Sequence, residues 1–118
     1  MRIACLLDND FEDSEFRKPY DALIYAGHDV VVIGIEAERE LRGKRGDETV
    51  RVDSGINTVD SADFDALLVP GGYSPDHLRV DDRMVRFTRA FFERERPVFA
   101  VCHGPQLLLT AGASRAGG

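Results

Sequence analysis

Four short runs of consecutive apolar residues constrain this chain more than any other feature of its sequence. They are residues 3–7, 30–33, 66–69 and 98–101. A strand that is buried on both faces of a parallel sheet has this continuous pattern, whereas a half-exposed strand alternates between apolar and polar residues. Because the runs alternate with stretches of helical spacing, the sequence predicts an α/β fold. We expect a doubly wound, mostly parallel sheet with helices on both faces, as in a flavodoxin-like sandwich.

The segments between the runs predict helices and loops. Apolar residues recur at helical spacing from Phe16 to Ile24, and Pro19 within this stretch predicts a kink or a late start of the helix. Residues 82–95 predict an amphipathic helix, whose inward residues would be Met84, Val85, Phe87, Thr88, Phe91 and Phe92. The other expectations are a loop or exposed hairpin at 36–48, a short edge strand at 49–52, a loop at 73–79 and a final helix from 106.

The size and charge of the chain exclude several classes of protein. Its 118 residues suffice for one domain, expected at residues 1–112, with a tail at 113–118. The net charge of −6 disfavours nucleic acid and anionic membranes as partners, because both attract clustered Lys and Arg. No apolar run approaches the roughly 20 residues that span a bilayer. The N-terminus lacks a signal-peptide pattern, so we expect a cytoplasmic protein.

Motifs for metals and cofactors are missing from the sequence. No His, Cys, Asp or Glu grouping has zinc-like spacing, and neither a phosphate loop nor a dinucleotide-binding fingerprint occurs. We therefore expect no metal and no other cofactor. The two cysteines, Cys5 and Cys102, form no CxxC pair, and in a reducing compartment both should be thiols.

Three polar or Gly-containing segments follow apolar runs directly, at residues 8–15, 70–78 and 102–104. In a parallel sheet of this kind the ligand crevice lies beyond the carboxyl ends of the strands. The three segments should therefore converge on one rim of the sheet, which is where we expect the functional site.

Cys102 is the residue in these segments with the clearest chemical signature. It follows a predicted strand and precedes a predicted helix, with the small residues Ala100 and Gly104 on either side. A nucleophile elbow requires this arrangement, because a tight turn leaves no room for neighbouring side chains, and the helix N-terminus favours a thiolate. The alternative is a buried structural cysteine. Cys5 lies inside an apolar run and is expected to be an inert core thiol.

The same segments resemble the signatures of the ThiJ/PfpI superfamily. The matching stretches are 10–15, 70–79 and 100–105, in the family's order and spacing, and the similarity extends from residue 2 to about residue 112. The chain is most similar to the PfpI-type intracellular proteases and general stress proteins, which share the class I glutamine amidotransferase-like fold.

The resemblance implies roles for four residues. Cys102 matches the nucleophile, and Glu12 matches an acidic residue that contacts its sulfur and must be protonated to donate a hydrogen bond. His103 matches a histidine that pairs with a carboxylate of an adjacent subunit, and Asp76 stands at the matching carboxylate position, where we expect it to act in trans. For Glu12 the alternative is a helix-capping residue.

Backbone N–H groups at the rim are candidates for an oxyanion hole. We expect them from Gly71, Gly72 and the amide of His103, because glycines let the backbone approach a developing negative charge. A Pro-Gly-Gly sequence is alternatively an ordinary turn. Of the other histidines, His77 is expected to be a solvated surface residue and His28 a structural one.

The resemblance implies an enzyme in which the Cys102 thiolate attacks a carbonyl carbon. The substrate would be a peptide or a methylglyoxal-type carbonyl in glyoxalase or deglycase chemistry, and the absence of an evident peptide groove favours small electrophiles. A redox-sensing stress protein that oxidises Cys102 without turnover is the alternative. A glutamine amidotransferase domain is a third reading, but it normally needs His and Glu residues later in the chain.

The resemblance also implies assembly into a homo-oligomer. Members of the superfamily continue beyond the final predicted helix into further strands and a helix. We therefore expect the domain to be incomplete at its C-terminus and to expose apolar surface, which favours association of subunits.

Overall fold

The computed structural model describes residues 1–100, and its centre is a five-stranded parallel sheet. The strands are β1 (Arg2–Leu6), β2 (Asp29–Gly34), β3 (Glu40–Arg42), β4 (Thr49–Arg51), β5 (Ser54–Gly55), β6 (Ala66–Val69) and β7 (Val98–Ala100). The sheet order is β5-β2-β1-β6-β7, whereas β3 and β4 pair in a separate antiparallel ribbon. The four apolar runs thus form β1, β2, β6 and β7, which confirms the predicted α/β fold.

Three helices accompany the sheet: α1 (Asp13–Tyr25), α2 (Ser74–Leu78) and α3 (Asp82–Glu93). Alternate side chains of β1 enter two different cores. Ala4 and Leu6 pack with the apolar face of α3, whereas Ile3 and Cys5 pack on the other side, with Phe16 of α1. Both faces of the sheet are therefore covered, as the continuous apolar runs predicted. No helix within residues 1–100 is long and apolar enough to cross a membrane.

Helix α3 matches its prediction apart from its last turn. Asp81 accepts hydrogen bonds from the backbone N–H groups of Arg83 and Met84 and so caps the helix N-terminus. The predicted inward residues are buried, except Phe92, which is half-buried. The helix ends at Glu93 because Glu95 has a φ of 57°, in the left-handed region that a helix cannot include.

Helix α1 runs without interruption through Pro19, so the expectation of a late start is wrong. Pro19 lacks the N–H that would bond to the preceding turn. Aromatic packing anchors the first half of the helix, since the Phe16 ring lies 5.4 Å from that of Phe11 and 5.0 Å from that of Tyr20. This packing stabilises the helix despite the missing backbone bond.

The short edge strand expected at 49–52 is β4, which pairs with β3 in the antiparallel ribbon, whereas β5 lies at the edge of the main sheet beside β2. The hairpin expected within 36–48 is thus formed by both strands of the ribbon. Residues 73–79 were expected to be a loop, but they contain α2, whose buried Leu78 packs in the α3-side core.

Candidate active site

The loops that follow β1 and β6 meet at the carboxyl end of the sheet in a single antiparallel bridge between Phe11 and Gly72. The N–H of Glu12 donates to the carbonyl of Gly71 at 3.0 Å, and the N–H of Tyr73 donates to the carbonyl of Asp10 at 2.8 Å. The structure therefore joins two of the three segments that the sequence placed on the rim.

Gly72 is required at this crossing by both its conformation and its surroundings. Its φ is 85°, and a Cβ atom built on it would lie 2.4 Å from the backbone nitrogen of Glu12. Any side chain would therefore push the two loops apart. Because the neighbours of Gly72 make the bridging bonds, its own N–H points away from the Phe11 loop. No backbone carbonyl within residues 1–100 accepts a hydrogen bond from that N–H.

Glu12 occupies the N-cap position of α1, but its side chain makes no capping hydrogen bond, so the helix-capping alternative is not observed. The carboxylate binds two cations instead. Lys44 Nζ lies 2.9 Å from Oε2, and Arg45 Nε lies 2.7 Å from Oε1. The Glu12 side chain is only 13 % exposed. Both cations come from the turn between β3 and β4.

Hydrogen bonds from Lys44 and Arg45 lower the pKa of Glu12 below its usual value and outweigh the opposing effect of its burial. The described contacts therefore favour the carboxylate, whereas the resemblance led us to expect a protonated carboxyl. The pairing of Glu12 with Lys44 and Arg45 was not predicted from the sequence. The only sign of this pairing in the sequence is that two adjacent basic residues lie between Gly43 and Gly46. Their proximity to Glu12 depends on the folded hairpin.

Asp13 was also missed, although it organises the turn that carries these cations. Its carboxylate is buried and accepts hydrogen bonds from the backbone N–H groups of Arg45, Asp47 and Glu48, at 2.8–3.0 Å. Burial alone would raise the pKa of Asp13, but these bonds outweigh it and lower the pKa. A Cβ atom at Gly43 would lie 2.2 Å from Oδ2 of Asp13, so the turn requires glycine there.

Asp76 and His77 lie on α2, on the other side of the bridge. Oδ1 of Asp76 is 3.6 Å from Nε of Arg79 and has no hydrogen-bond partner within residues 1–100. His77 is exposed, as expected, and its Nε2 lies 3.3 Å from Oδ2 of Asp10. This pair lines an open cleft of about 290 Å³ together with Asp8, Asn9 and Arg39.

Among the site residues predicted from the sequence, Glu12, Gly71 and Gly72 are brought together, and Asp76 follows on the adjacent helix. Cys102 and His103 lie outside the described residues. Cys5 is fully buried in β1, where burial, with a smaller contribution from Asp53, raises the pKa of its thiol. This burial confirms that Cys5 is a core thiol. Within residues 1–100, no cluster of three or more His, Cys, Asp or Glu side chains could hold a metal ion.

Similar proteins share both the sequence and the fold of this chain. General stress protein 18 of Bacillus subtilis is 54% identical over 112 residues, and protein/nucleic acid deglycase 2 of Escherichia coli is 51% identical over 114 residues. These matches cover 95% and 97% of this chain but 65% and 66% of the relatives. The chain thus spans about two thirds of the length of either protein.

A solved structure shows the same architecture. A two-domain protein from Anabaena variabilis, with DJ-1/ThiJ/PfpI-like and ferritin-like domains, is 37% identical and superimposes with a TM-score of 0.91. The match covers 94% of this chain and 33% of that protein. The family model described as the DJ-1/PfpI family matches residues 1–117. From its sequence and its fold, the chain belongs to the DJ-1/PfpI family.

Proposed function

We propose that this protein is a cysteine-nucleophile enzyme that converts small carbonyl compounds of the methylglyoxal type, as a glyoxalase or deglycase, and protects the cytoplasm against stress. The observation that carries the proposal is the backbone bridge between Phe11 and Gly72, which joins the two rim loops. It joins Glu12 and Gly72 at the carboxyl end of the sheet, and β6, which precedes Gly72, pairs with β7, which the candidate nucleophile follows by two residues. The names of the stress-protein and deglycase relatives agree with this reading.

The first chemical step would be addition of the Cys102 thiolate to the carbonyl carbon. A C–S bond forms, the carbonyl π pair moves to oxygen, and the oxygen then takes a proton to give a hemithioacetal. His103 would accept the thiol proton beforehand. Backbone N–H groups of Gly71, Gly72 and His103 would bind the transient oxyanion, and the N–H of Gly72 already points away from the loop that it bridges.

The open cleft beside the rim supports a small substrate over a peptide. At about 290 Å³ it is at the lower end of the range for ligand pockets, and polar or charged side chains line it. Such a cleft suits a hydrated aldehyde or ketone of a few carbon atoms. Among residues 1–100, none that line it has an apolar side chain that a peptide side chain could contact.

Turnover of methylglyoxal by the purified protein tests the proposal. We expect formation of hydroxy acid, and we expect Cys102→Ser to abolish it, since a hydroxyl is a far weaker nucleophile than a thiolate at neutral pH. Cys5→Ser is the matched control, because it removes the other thiol and should retain turnover. Absence of turnover by the unmodified protein, or turnover by Cys102→Ser, would refute the enzyme assignment. Cleavage of a casein-derived peptide instead would favour the peptidase reading.

In the redox-sensing alternative, Cys102 is oxidised and the protein has no catalytic turnover. The name of general stress protein 18 is compatible with it. Oxidation of Cys102 to sulfinic acid by dilute peroxide, in a protein that leaves methylglyoxal unchanged, would favour this alternative.

Asp76 supports assembly as part of the proposed function. Its side chain is 30 % exposed, with Arg79 Nε at 3.6 Å, and α2 begins two residues after Gly72. In a two-fold symmetric dimer each Asp76 could orient His103 of the other subunit, so that one contact is made twice.

A further inference from the structure

A second groove, on the α3 side of the sheet, shares no lining residue with the cleft beside the rim. Its two walls are α3 and the segment 56–61, which contains the 3-10 turn Ile56–Thr58 and the start of a second one, Ser61–Asp63. The groove has a volume of about 330 Å³. We propose that it binds a small organic monocarboxylate with an apolar body. Binding there requires neither Cys102 nor the rim.

The floor of the groove is apolar and is held in place by the core beneath it. Ile56 and Phe87 are more than nine-tenths buried, and Val59 packs against the same core. The Phe87 ring lies 6.0 Å from that of Phe64 and 5.4 Å from that of Phe91, so neighbouring rings fix its orientation. An apolar ligand group can therefore contact a surface that is formed before the ligand binds.

Arg83 stands in the α3 wall and connects it to the opposite wall. Its Nε and Nη2 donate to the two oxygens of Asp81 at 3.1 and 2.8 Å, and its Nη1 donates to Oδ1 of Asn57 at 2.7 Å. A guanidinium has five N–H donors, so these bonds leave two for a further acceptor. Arg83 thus keeps the two walls together and presents donors in a fixed orientation.

Arg86 lies three residues further along α3 and also lines the groove. Its exposed guanidinium makes no hydrogen bond or ion pair with another residue in 1–100. Side chains three positions apart on a helix are neighbours, so Arg83 and Arg86 can donate to the same group. Paired N–H donors of arginine match the two oxygens of a carboxylate. The α3 wall therefore favours a carboxylate as the polar part of the ligand.

The charges around the groove limit the ligand to one carboxylate. The charge of Arg83 is matched by that of Asp81, which leaves Arg86 and, on the opposite wall, Asp60. Oδ1 of Asp60 accepts the N–H of Ala62 at 2.9 Å, so this carboxylate stays at the segment 56–61. An anionic group is attracted to the Arg86 side and repelled from the Asp60 side. A second carboxylate on the same ligand would meet that repulsion.

Titration of the ¹⁵N-labelled protein with 3-phenylpropionate, followed by NMR, tests the proposal. This probe has one carboxylate and an aromatic body, and its size of about 11 non-hydrogen atoms predicts a Kd of about 1–10 mM. We expect saturable shifts confined to the groove, including the Arg86 Nε–H and the Asn57 side-chain amide. Neutral 3-phenylpropanamide lacks the charge and acetate lacks the apolar body, so each should bind at least about fivefold more weakly.

Three surface variants separate the charges of the groove from the overall charge of the chain. Arg86→Gln should weaken binding of 3-phenylpropionate about five- to tenfold, because the carboxylate loses charge-assisted hydrogen bonds. Asp60→Asn should strengthen it about twofold, since asparagine retains the cap and removes the repulsion. Arg94→Gln removes an exposed arginine just after α3 that does not line the groove, and the Kd should not change. Equal Kd values for Arg86→Gln and Arg94→Gln, or no saturable shift at the groove, would overturn the proposal.

The same spectra distinguish two other occupants. Shifts of the groove signals on raising the protein concentration without ligand would assign the groove to a second copy of this chain. Tighter binding of a blocked tripeptide with one leucine between two glutamates would assign it to acidic polypeptides. Either result would contradict a monocarboxylate site, and the amide spectrum of each variant shows whether it is folded.

Discussion

Glu12 and Asp13 on one side of the rim differ from Asp76 on the other in how firmly their carboxylates are bound. Both oxygens of Glu12 and both of Asp13 have partners within residues 1–100, although Oε1 of the nearby Glu15 is buried without one. On the α2 side, Oδ1 of Asp76 is buried without a hydrogen bond from any residue in 1–100. Its nearest cation, Arg79, remains at 3.6 Å.

This difference separates carboxylates that are bound firmly by their own hairpin from one that has a long ion pair. The Asp76 side chain is 30 % exposed and lies 3.6 Å from Arg79 Nε, so this ion pair contributes little to stability and part of the side chain is accessible to a neighbouring molecule. The hairpin side, by contrast, stabilises the subunit through its own contacts. The comparison therefore supports the proposal that Asp76 serves a neighbouring subunit.

The largest expected effect comes from mixing two inactive chains. Cys102→Ser and Asp76→Ala should each lower turnover of methylglyoxal about 100-fold or more. In a mixed dimer, the Asp76→Ala chain keeps its Cys102 and receives Asp76 from its neighbour. A 1:1 mixture at exchange equilibrium should therefore recover about a quarter of wild-type turnover, since half of the dimers are mixed and each has one intact site.

Subunit exchange must be established for the mixing experiment, which mass spectrometry of an isotope-labelled partner can do. No recovery despite exchange, or a monomer by light scattering at the assay concentration, would place Asp76 outside any shared site.

The next largest effect is a loss of stability on substitution of Gly72, which lies in the bridge between the two rim loops. Gly72→Ala should lower the free energy of unfolding by about 3 kcal/mol, because it adds a steric clash with Glu12 to the cost of a positive φ. Gly46→Ala is the matched control. Gly46 has a φ of 76°, but no atom lies within 4 Å of the position that a Cβ would take there, so the change should cost about 1 kcal/mol. Urea denaturation measures both, and equal losses would show that the close approach of the loops is unimportant.

A smaller effect is the difference in unfolding free energy between the variants Asp13→Ala and Asp76→Ala. Asp13→Ala leaves three backbone N–H groups without their acceptor and should destabilise the subunit by about 2 kcal/mol in urea denaturation. Asp76→Ala should change the stability of an isolated subunit by less than about 0.5 kcal/mol, since it removes no hydrogen bond within residues 1–100. A larger loss for Asp76→Ala than for Asp13→Ala would reverse the comparison.

The smallest effect is a dependence of stability on pH. The pKa of Asp13 is lower in the folded chain than in the unfolded one, where it is about 3.9. Its stabilising contribution is therefore complete above the unfolded pKa and disappears as the pH falls through the folded pKa. Between about pH 5 and 3, Asp13→Asn should flatten the acid loss of stability by about 1 kcal/mol or less. An identical pH profile in the unmodified protein would show that Asp13 does not contribute.

The sequence was sufficient to predict the sheet but not the partners at its rim. Residues 66–69 are apolar throughout, and such a run is buried wherever the fold places it, so β6 could be located from local pattern alone. Loops after parallel strands meet at the carboxyl end of the sheet, so proximity of Gly72 to the loop after β1 could be predicted. The two backbone hydrogen bonds that join them could not.

The ion pairs of Glu12 with Lys44 and Arg45 could not be predicted, because they join residues 32 and 33 positions apart through a hairpin whose strand pairing has no strong local signal. Leu41 and Val50 are the only buried residues within the two strands of that ribbon. Three-residue strands with one buried side chain each look like a loop in the sequence. In the same way, α2 was expected to be a loop because five residues are too few to establish a helical period.

The position of Cys5 gives this protein an internal reporter of its own unfolding. Cys5 lies in the central strand β1, paired with Val32 of β2 on one side and with Leu68 of β6 on the other, and it is completely shielded from solvent. A thiol-specific reagent can reach it only when the sheet opens. In a Cys102→Ser background, the rate of its modification should therefore follow the population of the open state, so that stability can be measured without denaturant and over a range of protein concentrations.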